Sequence, residues 1–114
     1  MYMENVPNSV KEYALHIHEI LSGKEPDTVL YDIMFTKFTE DLFEIAILTY
    51  STKTHMYTIE IGENDGELAI WLSYALPNGA EYIKRIDPAD LLKAVKEAET
   101  LRAFLGWFRN YVTS

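Results

Sequence analysis

The stretch MYTIEIGENDGELAIWLSY, residues 56–74, decides the fold, because it alternates with a period of two on either side of one turn signal. Tyr57, Ile59 and Ile61 interleave with Met56, Thr58 and Glu60; beyond Glu63-Asn64-Asp65-Gly66, Leu68, Ile70, Leu72 and Tyr74 interleave with Ala69, Trp71 and Ser73. Asn-Asp-Gly supplies the positive φ values that a tight turn between twisted strands requires, so the stretch is an antiparallel hairpin.

Upstream, residues 29–38 and 43–50 continue the pattern in Ile, Phe, Tyr and Thr, with polar turns at Thr39-Glu40-Asp41 and Ser51 to Thr54. Short connections imply antiparallel neighbours. Downstream, Pro77-Asn78-Gly79 turns the chain into a shorter edge strand, Tyr82 to Ile86, where Lys84 and Arg85 discourage edge-to-edge association. One expected sheet face joins Val29, Tyr31, Ile33 and Phe35 with Phe43, Ile45 and Ile47 and with the Tyr57, Ile59, Ile61 and Leu68, Ile70, Leu72, Tyr74 sets. The other joins Leu30, Asp32, Met34, Thr36 and Phe38 with Glu44, Ala46, Leu48 and Tyr50 and with Met56, Trp71 and their neighbours. Both faces are apolar, whereas a solvated outer face is normally polar, so both call for a cover.

Helices flank the strands. Ser9 and Glu12 have capping-box spacing, and Val10, Tyr13, Ala14, Ile17, Ile20 and Leu21 form one stripe that Gly23 ends. Asp87-Pro88-Ala89-Asp90 starts a C-terminal helix with an Asp N-cap, Pro at the first helical position, and Ile86 with Leu91 as a hydrophobic staple. Its stripe turns: at about 100° per residue, Leu91, Ala94, Val95 and Ala98 centre about a quarter turn or more away from Leu101, Phe104, Leu105, Phe108, Tyr111 and Val112. The helix therefore bends or breaks near Glu99-Thr100, or its second half packs on something other than the sheet. The expected fold is a single α+β domain over residues 1–114: N-terminal helix, antiparallel meander of four to five strands, long C-terminal helix. That element order resembles frataxin-like proteins in topology alone, since the first helix here carries no dense acidic ridge.

The totals bound the function. With 18 acidic against 10 basic side chains and a formal charge of −8, the chain opposes counterion release, and Lys84-Arg85 is its only adjacent basic pair, so direct nucleic-acid binding is not expected. No cysteine is present, which removes disulfides and thiolate metal sites. Met1-Tyr2-Met3-Glu4-Asn5 lacks the basic and apolar regions of a secretory leader, and the uncharged run from Leu68 is too short to span a bilayer. A soluble, cytoplasmic protein without membrane association is the default expectation.

Chemistry is sparse. His16 and His18 point about 200° apart on a helix and cannot share one metal, which needs i, i+4 spacing. Spacing ties His55 to no carboxylate or nucleophile. The turn at Asp65-Gly66 departs from a calcium loop, because aligning Gly66 with the loop glycine puts Ile61 and Leu72 at ligand positions. Asp32, Glu44 and Glu60 share one expected face and could raise one another's pKa, but no His, Lys or Cys is tied to them. Phosphate-binding glycine loops and the G-x-S-x-G elbow are absent. No catalytic residue, metal or cofactor is assigned.

Sulfur-bearing and aromatic surface is what remains. Met34, Leu48, Tyr50, Met56 and Trp71 on the second sheet face, and Phe104, Trp107 and Tyr111 on the last helix, have the composition of an interface core. A helix on each face would also close the domain without a partner. The leading expectation is a small acidic non-enzymatic protein that binds a protein partner or a second copy of itself. The alternatives are a binder of small apolar ligands, with a pocket between sheet and last helix lined by Met34, Met56 and Trp71, and an enzyme using the carboxylates.

Overall fold

The computed structural model describes residues 7–24, 32–39, 44–51 and 54–114; for residues 32–39 and Glu44 the description is of backbone and pairing. Helix α1 (Asn8–Ser22) leads into strands β1 (Asp32–Thr39), β2 (Glu44–Ser51), β3 (Met56–Asn64), β4 (Glu67–Ala75) and β5 (Glu81–Ile86), followed by helices α2 (Pro88–Glu97) and α3 (Leu101–Thr113). The α+β class and the antiparallel meander expected from the sequence are those of the structure. All five strands form one sheet in chain order, each antiparallel to the next.

The hairpin of residues 56–74 forms as its pattern predicts. Asn64 pairs with Glu67 across Asp65 and Gly66, whose φ angles are 53° and 82°, a pair of left-handed residues at the turn. Glycine meets the second of these without strain, and aspartate is among the few residues that tolerate the first. Val29 to Tyr31 and the turn residues 40–43 and 52–53 of the sequence pattern lie outside the described residues.

Two helix ends behave differently from each other. Asp87 caps α2 as its sequence announces: a side-chain oxygen accepts from the Ala89 N–H at 3.1 Å, and Ile86 and Leu91 are both buried beside it. Ser9 does not cap α1. That helix begins two residues earlier, at Asn8 behind Pro7 with no side-chain cap, and the Ser9 hydroxyl donates to Glu63 at the end of β3 instead. A long-range acceptor has taken the hydroxyl that the local box would use.

The C-terminal helix is two helices. Ala98 adopts φ −68° and ψ 127°, and Thr100 opens α3 as its N-cap, accepting from the Ala103 N–H at 3.0 Å. This interruption accommodates the turning stripe. Helix α2 buries Leu91 and Val95, and α3, restarted at a new angle, buries Leu101, Phe104, Leu105, Phe108 and Val112.

All three helices share one face of the sheet. Helix α1 packs on β2 and β3, α2 on β4, and α3 on β4 and β5. A single buried cluster joins Val10, Ala14, Ile17 and Leu21 of α1 to Leu48, Ile59, Ile70 and Leu72 of the sheet and to Phe104 and Phe108 of α3. Tyr13 ties the first and second helices, its hydroxyl donating to the Pro88 carbonyl at 2.6 Å. Burial and the nearby Asp87 carboxylate hold that phenol well above its usual pKa.

Candidate protein-interaction face

Register decides which side chains reach which face, because directly opposed residues of an antiparallel ladder lie on the same side. Leu48 opposes Ile59, and Tyr50 opposes Tyr57. Strand β2 therefore has the opposite phase to the one expected: Ala46, Leu48 and Tyr50 lie under the helices, fully buried, while Ile45 and Ile47 belong to the far face. The cause is local. Both alternations of β2 are apolar, so its own pattern cannot choose, and the β2–β3 connection sets the phase by opposing Ser51 to Met56.

The helix-side face carries an aromatic row that the sequence pattern did not single out. Tyr50, Tyr57, Tyr74 and Tyr82 are successive ladder partners across β2 to β5. Tyr57 and Tyr74 have ring centroids 5.1 Å apart, Phe108 meets Tyr57 edge-on at 5.4 Å, and the His55 ring stacks on Tyr74 at 5.4 Å. Tyr50 sits at the buried end of the row. Among the described residues its hydroxyl has no hydrogen-bond partner, and burial raises its pKa.

On the opposite face no described helix lies over the strands. Met56, Trp71 and Ile83 are 48%, 43% and 58% exposed there, a large apolar surface for a small domain. Three cross-strand rows organise it: Ile47–Glu60–Trp71–Arg85, then Thr49–Thr58–Ser73–Ile83, then Ser51–Met56–Ala75–Glu81. The Arg85 guanidinium lies over the Trp71 ring at 5.8 Å, and the Ser73 hydroxyl donates to Glu81 at 2.8 Å. Partial burial, and secondarily the Glu81 carboxylate, raise the Glu60 pKa.

A groove of about 460 Å³ opens on this face, walled by Glu60, Trp71 and Arg85 and floored by Gly62 and Ala69. The glycine matters to its depth. A Cβ at Gly62 would stand 3.0 Å from the Ile45 Cγ2, so a larger residue would both fill the floor and push on Ile45.

Of the sheet-face residues read from the sequence, the structure brings together Met56 and Trp71, and takes away Leu48 and Tyr50, which are core. Met34 opposes Thr49 in the ladder, and its side chain lies outside the described residues. Met56 and Trp71 face away from α3, so they cannot line a pocket between sheet and last helix. Ile83, Arg85 and Ile47 were missed; the alternation Glu81, Ile83, Arg85 in the edge strand was the available signal.

The expected patch on the last helix divides in the same way. Phe104 is fully buried, and Trp107 stacks between Phe104 and Tyr111, at 5.7 and 5.3 Å. Tyr111 is engaged with β5: its hydroxyl donates to the Arg85 carbonyl at 2.9 Å, and Lys84 sits 4.7 Å from its ring centroid while donating to its carbonyl. Trp107 and Tyr111 line a shallow cleft with Ile86, Ala94, Ala98 and Ala103, edged by the charged α2 residues Asp90, Lys93 and Glu97.

The three carboxylates do not converge. The ladder sets Asp32 opposite Ser51 and Glu44 opposite Thr39, at opposite ends of the β1–β2 pair, with Glu60 two strands into the sheet. Among the described residues no group of three or more His, Asp or Glu side chains is placed to hold a metal ion. No described helix is long and apolar enough to cross a membrane. Comparison of the chain with protein families, curated proteins and solved structures gives no match.

Proposed function

We propose that this chain acts by non-enzymatic protein–protein interaction, docking through the uncovered face of its sheet. The observation that carries this reading is the one-sided placement of the described helices: all three cover one face, while Met56, Trp71 and Ile83 stand exposed on the other among the described residues. With these three side chains about half exposed, a protein surface laid on the face recovers roughly half of the ~1.5–3 kcal/mol that full burial of such a side chain supplies, on the order of 1 kcal/mol each. Charged groups stand among the apolar side chains of this face, with Glu60 and Arg85 on either side of Trp71 and Glu81 in the row of Met56.

A photoreactive phenylalanine analogue at position 83 tests it in the cells that make the protein. A covalent adduct of one discrete mass, lost when Trp71→Asp is added, is the expected result. The absence of any Trp71-dependent adduct, with the variant still folded by circular dichroism, rejects the reading.

A further inference from the structure

We propose that the occupant of the open face is a second copy of this chain, packed sheet on sheet about a two-fold axis that runs along the row Thr49–Thr58–Ser73–Ile83. This rests on the reading of that face as a protein-docking surface, and it names the partner. A two-fold axis lying between the sheets and across the strands maps the central row onto itself and exchanges the rows on either side. The row Ile47–Glu60–Trp71–Arg85 of one copy then meets the row Ser51–Met56–Ala75–Glu81 of the other.

Two of the four outer oppositions made by that single operator are complementary in size or charge, and a third sets Met56 beside a groove. Trp71 faces Ala75 of the second copy, a bulky ring against a methyl group. Met56 faces Glu60, and its exposed thioether chain enters the groove that Gly62 and Ala69 leave open beside Trp71. Arg85 faces Glu81, cation against anion, and Ile47 faces Ser51. On the axis, Thr58 and Ser73 are small enough for the sheets to approach the usual spacing of about 10 Å, and the two exposed Ile83 side chains meet each other. Each contact between the outer rows occurs twice. An unrelated partner gives no reason for the outer rows to match one another in size and charge.

Twist does not spoil the match. Sheets packed in the aligned manner cross at about 30°, which displaces facing positions by roughly 2.5 Å one strand from the centre and roughly 5 Å at β5. The first is less than the width of an indole, and the second is within reach of an arginine and a glutamate. Five strands give a face of roughly 20 by 25 Å, on the order of 500 Å² per copy in projection and so roughly 1,000 Å² in all before side-chain relief, the lower end of the range for a specific interface. The formal charge of −8 on each copy opposes the association, which makes the paired Arg85 and Glu81 the determinants of register.

Light scattering coupled to size exclusion should give twice the 13.2 kDa chain mass at tens of micromolar. Arg85→Glu and Glu81→Arg should each weaken self-association at least tenfold, by opposing like charges twice across the axis. An equimolar mixture of the two variants should restore the dimer, because both pairs in the heterodimer again set a cation against an anion, one in the native sense and one with the charges exchanged. Ala75→Trp, placed on the open side, should leave the monomer folded and abolish the dimer. A wild-type dimer whose two single variants do not recover on mixing overturns the row-on-row arrangement. A wild-type chain that stays monomeric overturns the second copy as occupant; if position 83 still yields a Trp71-dependent adduct with another protein, the docking reading stands without it.

Discussion

The sheet has two apolar faces that the chain treats in opposite ways. On the covered face, large side chains follow one another without interruption, from Leu48 through Ile59 to Leu72 and from Tyr50 through Tyr57 to Tyr74, and the helices fill the spaces between them. On the open face each row mixes bulky with small, and the two outer rows mix charged with neutral, as in Glu60 beside Trp71 beside Arg85. The difference teaches that apolar content alone does not tell a core from an interface. Continuity of large residues marks the surface buried on folding, and rows of mixed size mark the face left open, the one proposed for association.

The largest test of this contrast uses neighbours in one strand. Leu48→Ala should cost about 2–5 kcal/mol by leaving a cavity beneath α1, whereas Ile47→Ala, one residue away on the far face, should cost about 1 kcal/mol or less in the monomer. Urea denaturation of the two variants measures this; equal losses would erase the distinction between the faces.

Tyr50 sharpens the covered side. With its hydroxyl buried and unpartnered among the described residues, Tyr50→Phe keeps the ring packing and removes the unsatisfied group, so stability should be unchanged or higher by up to about 1 kcal/mol. A loss of that size instead would mean that the hydroxyl is bonded in the native protein.

Glu60 gives the smallest effect and probes the open side. Its folded pKa lies above the ordinary 4.5, so the unfolded chain ionises first as pH rises. The favourable contribution of the protonated carboxyl is therefore complete below pH 4.5 and lost as pH climbs through the raised folded value. Glu60→Gln should remove this slope: wild type should lose stability relative to the variant as pH rises from 4.5 toward neutrality, measured as denaturation midpoints. Parallel profiles would show that Glu60 is fully solvated on its face.

How much of this was legible depended on whether a feature is fixed locally. The Asp65-Gly66 turn and the Asp87-Pro88 helix start are determined by a few adjacent residues, and both formed as written. The phase of β2 was not, because Ile45 and Ile47 on one side and Leu48 and Tyr50 on the other are equally apolar, and the connection to β3 settles the matter. The turning stripe between Leu91 and Val112 foretold an interruption, which falls at Ala98 to Thr100. It could not say on which sheet face the helices settle, since a stripe reports the buried side of a helix and not the identity of its neighbour. Trp71 and Met56 are legible as apolar positions on a strand's second alternation, whereas Ile83 is masked by a short strand flanked by charge.

The chain-order sheet has a consequence for how the molecule is reached from the unfolded state. Every ladder joins strands adjacent in sequence, and the β3–β4 pair closes over two residues. Loop-closure entropy is therefore least at that hairpin and rises only modestly as β2 and β5 add to its two sides. For a sheet protein this is a topology of low contact order, one that can grow outward from a single local nucleus without first bringing distant parts of the chain together.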